Sequence, residues 1–178
     1  TLSNIAAGVM LLVLRPIAVD DFVDTGSATG TVTELGLFST TLKTSDGLFV
    51  SIPNSQIWTD RVINYGRHKV RKAIIEIGVG YETDLEKCRD LMLAALNNAK
   101  DVQQDPSAPE AYVMSFGDSS INMSFRCWLP ADNWFLRTSD LRIHLKSTLD
   151  KAKIEIPFPQ RVVSMKETSV KATSKAKR

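Results

Sequence analysis

The sequence predicts an α+β protein, and three observations carry that reading. An apolar run from Ile5 to Leu14, closed by Arg15-Pro16, reads as a helix. Residues 17–66 are rich in β-branched residues and tight-turn signals. Residues 67–160 alternate with period two, then show helical stripes, in the order β-α-β-β-α, the pattern of a ferredoxin-like domain.

The N-terminal helix covers residues 1–15. Its ten apolar residues, at about 1.5 Å each, reach about half of a ~30 Å hydrocarbon core, so this run does not span a bilayer alone. No basic segment precedes it as in a signal peptide. Two readings remain: a buried core helix, which the pattern alone slightly favours, or the last half of a longer membrane helix. Pro16 ends it, because the residue before a proline is pushed out of the α region.

Through 17–66, Asp21-Phe22-Val23-Asp24, Thr31-Val32-Thr33 and Phe38 to Thr44 read as strands. Asp46-Gly47 is a hairpin signal, and Leu48, Val50 and Ile52 alternate with Phe49 and Ser51. Short strands joined by tight turns predict a small all-β barrel. In 67–160, Ala73, Ile75, Ile77 and Val79 form one face of a strand. Thr83-Asp84-Leu85-Glu86 reads as a capping box with Thr83 as the cap, opening a helix whose apolar face holds Leu85, Cys88, Met92 and Ala95. Tyr112, Met114 and Phe116 lead to a turn at Gly117-Asp118. Ile121, Met123, Phe125, Cys127 and Leu129 alternate with polar residues in the clearest strand of the chain. A last helix, 133–153, places Leu141, Leu145, Leu149 and Ala152 on one face. A short strand at 161–167 has no evident partner, and 168–178 is a polar, basic tail expected to be disordered.

Charge narrows the function. The chain carries net +2, but residues 166–178 hold five cations against Glu167, which leaves residues 1–165 at about −2. A body of that sign argues against nucleic acid as a partner. Cys88 and Cys127 fall on apolar faces and read as buried thiols, not as a disulfide framework or metal ligands, so neither a metal nor any other cofactor is expected. His68 and His144 are the only histidines, and neither has a nucleophile and carboxylate at useful spacing, so no catalytic residues are assigned. The glycines at 26–30 and 78–80 lack the rest of a phosphate-binding loop.

One set of residues, in order and spacing, resembles the small-conductance mechanosensitive channel (MscS) family. It runs from Leu2-Ser3-Asn4-Ile5-Ala6-Ala7-Gly8 and Arg15-Pro16 through Gly30-Thr31-Val32, Phe38-Ser39-Thr40-Thr41, Thr44-Ser45-Asp46-Gly47, Ile52-Pro53-Asn54 and Ile63-Asn64-Tyr65. It ends at Ser119-Ser120-Ile121-Asn122 and Pro157-Phe158-Pro159-Gln160. The resemblance implies the lower half of a pore-lining helix (1–16), an Sm-like β-barrel domain (17–66), a ferredoxin-like α+β domain (67–160) and a strand (161–167) for an inter-subunit barrel. It implies a homo-oligomer, usually a heptamer, in the bacterial inner membrane, opened by tension to release ions and small osmolytes. Asn4, Ala7 and Gly8 then belong to the pore helix and its hinge, and Leu11, Leu14 and Pro16 couple that helix to the barrel. Arg67, Arg71 and Lys72 lie at the vestibule junction, where their charge biases which solutes enter.

Two departures from the family pattern stand out. Lys153 occupies a place where the family often has glycine, which predicts a slightly longer last helix. Ile17-Ala18-Val19 replaces charged positions after Arg15-Pro16. Two alternatives remain: a soluble Sm-like RNA-binding ring, supported by the barrel pattern and the basic run at Arg67–Lys72, and a cytoplasmic scaffold for another membrane protein. Salt-dependent RNA affinity separates the first of these from a channel.

Overall fold

The computed structural model describes residues 1–161 and 163. Helix α1 (Leu2–Leu14) leads into strands β1 (Phe22–Asp24), β2 (Thr29–Leu35), β3 (Ser39–Lys43) and β4 (Phe49–Pro53), a short helix α2 (Asn54–Thr59) and strand β5 (Ile63–Asn64). These strands form one antiparallel sheet in the order β4-β3-β2-β1-β5. Then follow β6 (Val70–Val79), α3 (Leu85–Asn98), β7 (Glu110–Phe116), β8 (Ile121–Pro130) and α4 (Trp134–Lys151), with the sheet order β6-β8-β7. The α+β class and the β-α-β-β-α order expected from the sequence are present. The strand expected at 161–167 and the tail at 168–178 lie, but for residues 161 and 163, outside the described residues.

Each unit buries its own core. In the first, Leu11 of α1 joins Ile17, Val23, Val32, Leu42, Ile52 and Ile57. In the second, α3 and α4 cover one face of the sheet. Met92 and Leu96 from α3, and Leu145 and Leu149 from α4, meet Phe125, Met123 and Leu129 from β8. The period-two pattern of β8 places those residues on a single face (Ile121, Met123, Phe125, Cys127 and Leu129 are all at most 4% exposed).

Three local expectations need correction. Helix α3 is capped by Asp84, whose carboxylate accepts from the Lys87 N–H at 3.1 Å, and not by Thr83. Asp84 is the residue that lies three before a free helical N–H, which is the geometry a cap requires. Residues 17–66 are not all β, since α2 interrupts them; it buries only Asn54 and Ile57, too few to leave a periodic signal. Helix α4 stops at Lys151, and Ala152 is exposed. Lys153 does not lengthen it but takes the left-handed conformation (φ 56°). The Ile154 N–H bonds Leu149 O at 3.0 Å and the Lys153 N–H bonds Asp150 O at 3.1 Å. That pair of bonds is a Schellman motif, with lysine in the position where glycine is usual.

Two predictions follow from this packing. A lysine held left-handed costs about 1 kcal/mol, partly offset by the extra chain entropy a glycine loses. Lys153→Gly is therefore expected to stabilise by about 0.5 kcal/mol and Lys153→Val to destabilise by about 1 kcal/mol, as read by chemical denaturation. Burial raises the Cys88 thiol above its ordinary pKa and pushes Cys127 up to about 11. Both cysteines are expected to resist maleimide at pH 8 in the folded chain and to react on unfolding.

Candidate functional site: the docked N-terminal helix and the interdomain junction

Helix α1 shows two faces that the sequence alone does not separate. Ala7, Gly8 and Leu11 are buried against the β unit. The rest of the helix is apolar and open: Leu2 is 78% exposed, Val13 70% and Leu14 57%. A 13-residue helix is marginal by itself in water, so contact with α2 and the β2–β3 loop stabilises it.

That contact is built around residue 8. A Cβ placed on Gly8 would sit 2.3 Å from the Leu37 carbonyl oxygen and 2.6 Å from Asn54 Nδ2. The glycine therefore permits close approach of helix to loop, and α1 runs through it as one continuous helix. Asn54 is fully buried and organises the loop that Gly8 touches. Its Nδ2 donates to Gly36 O at 2.9 Å and Leu37 O at 3.0 Å, and its Oδ1 accepts from Thr40 Oγ1 at 2.9 Å. One turn earlier, Asn4 Oδ1 accepts from the Ser55 N–H at 3.0 Å. That N–H lies in the first turn of α2, where helix donors have no partner within the helix, so Asn4 satisfies one from another element.

The residues singled out in the sequence thus fall into two groups. Asn4, Ala7, Gly8 and Leu11 share the docked side of α1, whereas Leu14 and Pro16 are exposed. At the junction, none of the three basic residues is free. Arg67 Nη1 donates to Arg15 O at 2.8 Å. The Arg71 guanidinium lies between the Tyr65 ring (4.7 Å) and the Trp134 ring (4.2 Å). This partial burial lowers its pKa from the usual guanidinium value, opposed by the nearby Tyr65. Lys72 pairs with Glu110 at 3.2 Å and lies 5.4 Å from the Trp128 ring. A cavity of about 1130 Å³ opens beside Arg71, between the two units. Cations already engaged this way are poorly placed to track phosphates, which counts against the RNA-binding alternative. Asn54, Leu37, Ser55 and Trp134 are not legible as partners in the sequence, because they lie dozens of residues from the groups they touch. Among the described residues, no three His, Cys, Asp or Glu side chains cluster as metal ligands.

Comparison with known proteins identifies the family and the fold. Residues 1–67 match the mechanosensitive ion channel β-domain family, and residues 73–156 match the MscS C-terminal family. An uncharacterised MscS family protein of Archaeoglobus fulgidus is 34% identical over 161 residues, covering 90% of this chain and 56% of that protein. The small-conductance mechanosensitive channel of Edwardsiella ictaluri is 35% identical over 161 residues, with the same coverage of 90% and 56%. This chain therefore spans a little over half the length of those relatives. The crystal structure of Helicobacter pylori MscS in its closed state superposes with a TM-score of 0.83 at 28% identity, covering 94% of this chain and 66% of that one.

Because a methyl group at residue 8 has nowhere to go, Gly8→Ala is expected to weaken α1 docking by about 1–3 kcal/mol. Hydrogen exchange of the 178-residue chain checks this: amides of residues 5–14 should exchange faster, while those of β8 stay unchanged.

Proposed function

We propose that this chain, which belongs to the mechanosensitive ion channel MscS family, forms the lower pore helix and the vestibule wall of a tension-gated channel. The observation that carries the reading is the inverted exposure of α1. One side is docked on its own β unit, and the other presents Leu2, Val9, Met10, Leu12, Val13 and Leu14 to the outside. A free helix side this apolar needs an apolar environment, which copies of the same helix and a bilayer supply. No helix among the described residues is long and apolar enough to cross a membrane. On this reading the membrane-spanning part is contributed by sequence upstream of Thr1.

The mechanism follows from differential area. Membrane tension favours whichever conformation occupies more of the bilayer plane. Pore helices that tilt and separate widen an apolar constriction, which hydrates and then conducts ions and small osmolytes. The chain contributes Asn4, Ala7, Gly8 and Leu11, which fix the lower helix to the β unit, while the α+β unit builds the vestibule. We place it as a homo-oligomer, with heptamer as the expected ring, in the bacterial inner membrane. It conducts and does not catalyse.

Excised patches containing the full-length parent, under stepped suction, test this. Openings that rise with tension are expected. Silence up to tensions near patch rupture would contradict the channel reading and return the reading of a cytoplasmic scaffold for another membrane protein.

A further inference from the structure

Asn64 uses every hydrogen-bonding position its side chain has. Nδ2 donates to Pro16 O at 3.1 Å and to Asp21 Oδ2 at 2.7 Å. Oδ1 accepts from the Gly66 N–H at 3.0 Å and the Arg67 N–H at 2.9 Å. Asp21 Oδ2 in turn accepts from the Ala18 N–H at 2.8 Å. An asparagine amide offers two donors and two acceptor sites, and here all are satisfied. The turn that Asn64 folds delivers Arg67, whose guanidinium reaches the Arg15 carbonyl at 2.8 Å.

Arg15 and Pro16 are the first two residues beyond α1. Arg15 is the left-handed cap residue of α1, so the two carbonyls taken here lie just past the helix, and the charge of Arg67 stands near the negative end of the helix dipole. Two residues on opposite ends of one turn therefore hold the end of α1: Asn64, the last residue of β5, and Arg67, in the segment that leads from β5 to β6. Between them, Tyr65 packs on Phe22 of β1, with ring centroids 5.8 Å apart. The Arg71 guanidinium lies over the same ring and also over Trp134 in the first turn of α4. Residues 64–71 thus touch the end of α1, strand β1 and helix α4.

We propose that Asn64 and Arg67 are positioning residues that clasp the C-terminal end of α1 to the end of β5 and the start of the interdomain segment, and so set the tension at which the channel opens. This rests on the channel reading above, and it assigns Arg67 a different task from selecting solutes. The clasp belongs to the conformation in which α1 lies docked on its own β unit. Untying one end makes departure from that conformation easier, whereas a residue outside the conducting path leaves the open pore as it was.

The test uses the full-length parent, with Asn64→Ala, Arg67→Ala and Arg67→Lys compared in excised patches. The two alanine variants are expected to reach half-opening at lower tension, with unchanged single-channel conductance. Arg67→Lys, which keeps the charge but not the forked geometry, should fall between. An unchanged or higher half-opening tension overturns the proposal. So does altered conductance or ion preference at unchanged tension, which would make Arg67 a permeation residue. If the unmodified parent carries no tension-activated current, the channel reading fails independently of the clasp. Hydrogen exchange on the same proteins then decides: Asn64→Ala should speed exchange several-fold at the amides of Arg15 and Tyr65, and an unchanged rate overturns the clasp.

Discussion

The placement of α1 depends on a missing atom. Residue 8 has no Cβ, and the space that atom would fill is occupied by the Leu37 carbonyl and the Asn54 amide. Everything nearby follows from that approach. Asn54 can hold the β2–β3 loop in place only because it is buried with all its bonds made inside the protein, to Gly36, Leu37 and Thr40. Asn4 reaches Ser55 because the helix lies close enough for a direct bond. Leu11 enters the β core because the same helix side continues one turn further.

This arrangement divides the labour of a single short helix. Its docked side is small and polar enough to sit on a folded domain, and its open side is apolar enough to need a second environment. A soluble domain would gain little by leaving Leu2, Val13 and Leu14 in water. For a helix continuing from a membrane and packing against copies of itself, that exposure is what the surroundings demand. The two ends of α1 are then held by different means: close packing and Asn4 toward the start, carbonyl capture by Asn64 and Arg67 at the end. The first tie lies within the β unit; the second joins Asn64 at the end of β5 with Arg67 from the segment that leads to the α+β unit.

Much of the fold was legible because it is periodic. Ile121, Met123, Phe125, Cys127 and Leu129 announce a strand with one buried face, and Leu141, Leu145 and Leu149 announce a helix stripe. Features that depend on backbone conformation or distant partners were not legible. Lys153 adopts a conformation that its side chain disfavours, because Ile154 and Leu149 close the helix around it, so a rule based on residue type misjudged the helix end. The choice between Thr83 and Asp84 as cap turned on one residue of register. Gly8 was recognisable as a significant glycine, and bending was the role expected of it. The close approach appears only once Leu37 and Asn54 are brought to it from elsewhere in the chain. The basic run at Arg67–Lys72 reads as a charged junction between the two units, yet each of its three singled-out cations has a partner that sequence distance conceals.

The most direct test of this account is a high-resolution structure of the full-length parent in a lipid bilayer without applied tension. Gly8 is expected packed against the Leu37 carbonyl and Asn4 within hydrogen-bond distance of the Ser55 N–H in every subunit, with the apolar side of α1 turned to neighbouring copies. A pore helix that continues straight from the membrane and stands clear of α2, leaving Asn54 with its loop but without Gly8, would contradict it.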